Sequence, residues 1–469
     1  MKNIIKNMSY TISSNLISFI VSTLVILIVP KLIGVENYGY WQLYLFYATY
    51  VGLLHFGWND GIYLRFGGDE YNKLDKRLFF SQFMQLLITQ IVIGILIFLL
   101  ALIIFKDINK EFIFQIVALV LIISNTRLML LNILQTTNRI KEYAIINMLD
   151  RIIYIILIIF FLLIGIRDFK LMVIADVIGK LISLSLAIYY CRDIVFNKIN
   201  KYYLTLSETY KNINVGIKIM FANFASFLII GIVRFGIERT WDVSTFGKVA
   251  LTISLSSIMM FFISAVGIVI FPILKRINKD KLSIIYKTMR DSLLVLLLGI
   301  LIIYYPLKAF MVMWLPNYAD SLIYLALVFP MFIYEGKMVL LINTYINTLR
   351  KENIMFKINI IMMIITAIIT YINTQIFNNL DLTVLSIVIL LIIRSVIAEL
   401  YLAKALNIKV LKDIILEILL TTIFILSAWF IDSYITIIIY IVFYIIYLLI
   451  KKKDLIITIN NIKDLLKNK

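Results

Sequence analysis

Eight ionisable side chains fall inside the apolar runs of this chain: Asp60, Arg127, Asp176, Lys180, Arg234, Glu335, Lys337 and Arg394. A charge deep in an apolar run is costly unless it meets a partner or a water-filled space, so each marks a candidate site. Basic groups outnumber acidic ones by five to three. That balance suits an anionic ligand, because a guanidinium grips phosphate or carboxylate through a fork of parallel hydrogen bonds. Arg127, in the middle of IISNTRLMLLNILQ, has no acid within one helical turn and is a candidate anion ligand. Arg394, in LLIIRSVIAEL, is as central, with Glu399 on another side of its helix. Asn223, Phe227, Arg234 and Glu238 follow one helical stripe. Arg234 either serves a ligand there or pairs with Glu238 one turn on. Asp176 and Lys180 stand four residues apart and are placed to neutralise each other, with Lys180 also a candidate ligand. Glu335 and Lys337 project to different sides and need separate partners; Glu335 is a candidate protonatable coupling group. Asp150 and Arg151 read more readily as interface anchors than as ligands.

The helices that must carry these groups are spans of a membrane. The chain has 469 residues, of which 62% are hydrophobic and 15% charged, and its mean hydropathy is +0.99. Soluble domains run at roughly 45–50% apolar and about 25% charged. The class is therefore an all-α polytopic membrane protein. The formal charge of +18 is scattered between apolar runs and forms no continuous basic face, which argues against nucleic acid. One cysteine, Cys191, excludes an internal disulfide, and one histidine with it excludes a His/Cys zinc site. No cofactor motif is present, and no nucleotide-binding G-x-x-x-x-G-K-[ST]. His55, among aromatic residues, reads as packing rather than a pH switch.

Runs of about 20 apolar residues place spans near 9–30, 40–64, 78–105, 112–137, 143–165, 170–191, 216–238, 246–274, 291–314, 318–347, 355–377, 382–405, 413–431 and 434–450. That is about fourteen. The basic residues divide 29 to 8 between the two sets of connecting segments. The positive-inside rule then puts both termini on the cytoplasmic side and requires an even number of spans, fourteen or twelve. The basic N-terminus precedes a run too long for a signal peptide and is read as the first span.

The chain also repeats itself. Asn15, Ser18, Phe19 and Val25 correspond to Asn223, Ser226, Phe227 and Val233 at a shift of 208, which also carries Val35 and Gly39 to Val243 and Gly247. Lys141-Glu142 and Leu130-Leu131 correspond to Lys351-Glu352 and Leu340-Leu341 at a shift of 210. Six spans per copy give both copies the same orientation, as in transporters built from parallel repeats. The expected division is a first lobe over 1–205, a second over 206–408, and two extra helices with a basic tail over 409–469. Asp60 falls on Ile268 in the second copy, so the polar Asn59-Asp60-Gly61 break faces Gly267 and Pro272. Asn59 and Asp60 either line a polar inward mouth or serve as a cap or hinge.

Two six-helix lobes, the first span with Asn15 and Ser18, and the segments VENYGYWQLYLFY, FGWNDGIYLRFGG and TTNRIKEYA together resemble bacterial polysaccharide flippases. These belong to the multidrug/oligosaccharidyl-lipid/polysaccharide exporter superfamily. The resemblance covers the whole chain and is most specific in the second span. It implies a non-enzymatic flippase of the bacterial cytoplasmic (inner) membrane. The cargo it implies is an undecaprenyl-diphosphate-linked oligosaccharide, such as an O-antigen, capsule or exopolysaccharide repeat unit, moved by alternating access through a basic central cavity. Its partners would be membrane lipid and the polysaccharide polymerase and chain-length proteins. Under that resemblance the diphosphate and sugar ligands are Arg234, Arg127, Arg394, Lys180, Asn15, Asn223, Asn59 and Asp60, with Glu335 as coupling candidate. The alternatives are a cation-coupled multidrug antiporter, disfavoured by the basic balance, and a membrane polysaccharide polymerase, disfavoured by short external connectors. A scaffold would leave the buried charges without a purpose.

Overall fold

The computed structural model describes residues 2–274, 282–431, 433 and 435–467; the side chains of 2–8, 222, 223, 225, 226, 261–274 and 462–467 lie outside the described set. The readings of Asn223, of Gly267 and Pro272, and of the basic loop over 275–281 fall there. Every regular element among the described residues is helical. The chain divides into two compact units, Met1–Phe224 and Ala225–Lys469. The division falls within a helix, later than the loop at 205.

Twelve described helices are long and apolar enough to cross a membrane. The second expected span is broken, and the seventh lies in a helix some of whose side chains are outside the described set. The first unit comprises α1 (Lys2–Ile33), α2 (Val35–Tyr50), α3 (Trp58–Arg65), α4 (Lys76–Ile104), α5 (Ile108–Thr136), α6 (Ile140–Leu163), α7 (Phe169–Tyr190), the short α8 (Arg192–Val195) and the start of α9 (Leu206–Thr240). Carboxylates start the long helices. Asp75 accepts from the Arg77 and Leu78 amides, Asp107 from Asn109 and Lys110, and Asp168 from Lys170. Each satisfies amides that a helix start leaves without a partner. The core follows α5, whose most apolar window is 61% buried against 17% for α4. Isoleucines and leucines such as Ile95, Leu99 and Ile103 on α4 are left outward, as a lipid-facing surface requires.

The break in the second span explains the Asn59-Asp60 stretch. After α2 comes a 3₁₀ turn, Val51–His55, then Phe56 at φ 52° and Gly57 at φ 81°. Gly57 and Gly61 lie against α9 backbone to backbone: a Cβ on Gly61 would fall on the Asn212 carbonyl, and one on Gly216 would fall on the Gly57 carbonyl. Only glycine permits that approach. Irregular backbone at membrane depth must find partners inside the protein. Asn125 donates to the Val51 carbonyl at 3.0 Å and to Gln90 Oε1 at 2.7 Å, and Gln90 donates to the Leu54 carbonyl at 3.2 Å. His55 is buried, and its Nδ1 accepts the Gly57 amide at 3.1 Å, in keeping with packing.

The second unit continues with α10 (Val243–Leu274), α11 (Leu282–Ile300), α12 (Tyr304–Trp314), α13 (Tyr324–Val328), α14 (Met331–Lys337), α15 (Asn343–Thr348), α16 (Glu352–Tyr371), α17 (Leu380–Leu406), α18 (Leu411–Phe430) and α19 (Ile435–Lys467). Its core is the Tyr324–Thr348 segment, 94% buried over its most apolar window. A π-helical turn, Met338–Ile342, follows Lys337. The two last helices lie outside the sequence repeat yet inside this unit, joined to it by buried charges. Lys451 on α19 donates to Asp291 on α11 and to Asp413 on α18, both at 2.8 Å. Arg290 and Lys451 entered the count of loop charges, but their side chains are 1% and 0% exposed. Their place is in the protein interior.

Candidate functional site

Polar residues in α1 and α6 recur at three- and four-residue spacing, which puts each set on one helix face, and two more project from α5. Thr11, Ser14, Asn15 and Ser18 supply one face and Tyr143, Asn147, Asp150 and Arg151 a second; Arg127 and Gln135 are the two from α5. Together they line a cavity of about 350 Å³ inside the first unit. Arg127 donates through Nη1 to Asp150 Oδ2 at 2.8 Å and to Ser183 Oγ at 2.7 Å. Ser183 in turn donates to the Ile146 carbonyl at 3.1 Å. The Arg127 side chain is 16% exposed and Asp150 5%, so the pair is fixed at the cavity wall. Arg151 is half-buried, and no ion pair within 4 Å engages it among the described residues. The cavity thus holds two guanidinium groups against one carboxylate. Asn15, Asn147, Gln135 and the serine and threonine hydroxyls surround them with donors and acceptors. Such a lining binds an anion by forked hydrogen bonds and a hydroxylated group by amides.

Of the candidates read from sequence whose side chains are described, Arg127 and Asn15 meet in this cavity; the others do not. Asn59 is fully buried. Its amide donates to the Asn125 carbonyl at 2.9 Å, and its own carbonyl accepts from Asn132 at 2.9 Å, so it holds α3 to α5 and is not on a mouth surface. Asp60 is 23% exposed, with its carboxylate 3.6 Å from His55 Nε2 at the helix break. Lys180 pairs with Asp176, which also accepts from Tyr44. That arrangement is the mutual neutralisation expected of the four-residue spacing.

In the second unit, Arg394 is buried beside Glu335 at 3.6 Å and donates to Asn359 Oδ1 at 3.0 Å. The proposed anion ligand and the coupling candidate are therefore each other's partners. Arg234 lies over the Phe246 ring at 5.0 Å, and Glu238 is 3.4 Å from Arg239. Phe227 is 55% exposed while Glu238 is 5% exposed, so their stripe does not face a single environment. Lys337 is fully buried, donating to Glu417 at 2.6 Å and Glu399 at 3.0 Å.

Sequence reasoning weighed Arg151 as a ligand but favoured an interface anchor, and it missed Asn147, Ser14 and Gln135 as cavity residues. The signal was present in the three- and four-residue recurrence of polar side chains along α1 and α6. It was hidden because each set sits near a helix end, where interface anchoring is the ordinary explanation. On the connecting segments outside the spans, Glu208 takes hydrogen bonds from Lys211 and Arg65, which hold its carboxyl below the ordinary glutamate range. Arg65 Nη2 reaches Glu208 Oε2 at 2.6 Å. Burial pushes the Cys191 thiol up to about 11, which leaves it an inert packing group.

A family model described as "Polysaccharide biosynthesis protein" matches residues 4–278. No curated protein matches the chain at a significant level. Among solved structures, the lipid II flippase MurJ in an inward closed conformation is similar in fold. Its TM-score is 0.64 at 15% identity, covering 96% of this chain and all of that one. An inward-facing multidrug resistance MATE family transporter of the MOP superfamily has TM-score 0.64 at 13% identity, covering 83% of this chain and 94% of that one. An outward-facing conformation of a MATE family transporter of the same superfamily follows at 0.50 and 14% identity, covering 86% and 96%. These likenesses show the fold. They agree with the all-α polytopic membrane architecture.

Proposed function

Because the chain belongs to the polysaccharide biosynthesis protein family, we propose that it flips an undecaprenyl-diphosphate-linked oligosaccharide across the bacterial cytoplasmic membrane. The observation that carries this reading is the first-unit cavity, with Arg127 and Arg151 against Asp150 among amides and hydroxyls. The two guanidinium groups meet the diphosphate and the amides meet sugar hydroxyls, while the polyprenyl chain stays in lipid. Exposing this headgroup site alternately to the two sides of the membrane moves the cargo. Both termini are cytoplasmic in this scheme, and the polymerase and chain-length proteins act on the delivered unit. Likeness to a lipid II flippase supports the cargo class, as does the cavity's net positive charge. A multidrug antiporter for cations would place the opposite charge there.

The test is complementation of a deletion strain with wild type, Arg127→Ala and Arg151→Ala, scoring surface polymer against protein abundance. Polymer lost from the deletion and from both variants, with lipid-linked units accumulating inside, is the expected result. Normal polymer from the deletion itself would overturn the reading in favour of the antiporter.

A further inference from the structure

The buried charges of the second unit divide into two groups with different balances. In the first, Arg290 and Lys337 face Glu399 and Glu417, two cations against two carboxylates. Arg290 Nε lies 2.5 Å from Glu399 and Nη2 3.4 Å from Glu417; Lys337 bridges the same two acids. Tyr286 adds a hydroxyl to Glu399 at 3.3 Å. In the second group, one cation serves two acids. Lys451 Nζ donates to Asp291 Oδ1 and to Asp413 Oδ1, each at 2.8 Å. Their side chains are 0%, 1% and 8% exposed. Arg290 Nη1 also pairs with Asp413 at 3.9 Å, so it is shared between the groups, and the three cations Arg290, Lys337 and Lys451 face four carboxylates in all.

The remaining charged and titratable neighbours do not correct the imbalance. Asp454 on α19 also takes a hydrogen bond from Lys451, at 3.0 Å, and has its own counter-ion in Lys287 on α11 at 3.7 Å. Lys412 on α18 acts on Asp454, and Tyr447 on α19 is the nearby phenol. Lys337 from α14, Glu399 from α17 and Glu417 from α18 belong to the balanced group. A second uncompensated carboxylate at this depth is costly, and a proton removes the cost.

We propose that Asp291 and Asp413, bridged by Lys451, form a site that binds one exchangeable proton. A route to water exists: Asp291, Asp454, Lys287, Thr288 and Asn461 line a cavity of about 240 Å³ between the start of α11 and the end of α19. Both helix ends adjoin the basic connecting segments of the chain. A proton reaches Asp291 from that cavity and is shared with Asp413 across the Lys451 ammonium, without entering the balanced group. The site resides in the helices that lie outside the sequence repeat, and it is independent of what the chain transports.

Infrared spectroscopy on the full-length protein in lipid nanodiscs tests this. At neutral pH the wild type is expected to show a protonated-carboxyl C=O stretch that disappears reversibly as pH rises. Asp291→Asn or Asp413→Asn is expected to remove one carboxyl's intensity from it. Labelling aspartate with ¹³C at the carboxyl of the unsubstituted protein gives a check that needs no variant: the band must move to lower frequency. An absent band in the wild type, a band unmoved by the label, or full intensity retained in both variants would overturn the proposal.

Discussion

Lys337→Met removes a cation that is completely buried, and the structure sets the size of the effect. Its ammonium donates to Glu417 at 2.6 Å and to Glu399 at 3.0 Å. Methionine fills much the same volume without the charge, so the cavity term is small. What remains is two carboxylates sharing Arg290, which already holds Glu399 closely and Glu417 only at 3.4 Å. Stripping one partner from a buried pair costs about 3–5 kcal/mol, most of it the penalty of the charge left behind. If charge balance is the cause, the cost must return when the excess acid is neutralised. Lys337→Met/Glu417→Gln restores one cation to one carboxylate, and its loss should be about 1–2 kcal/mol rather than the sum of the single losses. The coupling between the two substitutions is then negative, about 2–3 kcal/mol even with no cost from Glu417→Gln alone and larger by whatever that single substitution costs. SDS-induced unfolding of the purified full chain, with the two singles and the double, measures all three terms. Additive losses would refute the reasoning and make Lys337 a packing residue.

Asn125→Leu should cost about 2–3 kcal/mol in the same unfolding assay, because the Val51 carbonyl and Gln90 lose their partner at the second-span break; a loss below about 0.5 kcal/mol would show that the break finds other partners. Gly216→Ala places a Cβ on the Gly57 carbonyl and should lower abundance or unfolding midpoint sharply; an unchanged midpoint would show that the close helix approach is dispensable. Glu208→Gln tests the Arg65 contact through pH. The glutamate is held below its ordinary 4.5 chiefly by Lys211 and Arg65, so wild type should gain over the variant in full above that value and lose the gain as pH falls below it. A difference that stays constant across that window would remove Glu208 from the contact.

Burial of charge was legible where a basic residue interrupts an apolar run, and illegible where it adjoins a basic segment. Arg127 stood out because no acid lies within a turn of it on either side. Its partner Asp150 is 23 residues away on the next helix, a pairing that packing decides and spacing cannot. Asp176 and Lys180 were readable as a pair because one helix fixes their geometry. Arg290 and Lys451 looked like loop charges because they follow or precede lysine-rich stretches. Only the convergence of α11, α17, α18 and α19 reveals that carboxylates from distant segments enclose them. The Asn59-Asp60 break was visible as a polar interruption. The amides that make it tolerable, Asn125 and Gln90, lie in other helices and carry no local signal.

The expected repeat relates two of these buried charges. Lys337 stands 210 positions after Arg127, the same shift that relates Leu130-Leu131 to Leu340-Leu341. Each faces acid from a neighbouring helix. In the first unit the basic group meets one carboxylate, Asp150, and keeps part of its surface on a polar cavity. In the second, Glu399 and Glu417 enclose it and nothing of it is exposed. Glu417 comes from α18, outside the expected repeat, and helps to seal this basic position. The same pair of helices supplies Asp413 and Lys451 to the unbalanced group. α18 thus encloses Lys337 through Glu417 and, with α19, supplies Asp413 and Lys451, while Arg127 in the first unit keeps part of its surface on a polar cavity.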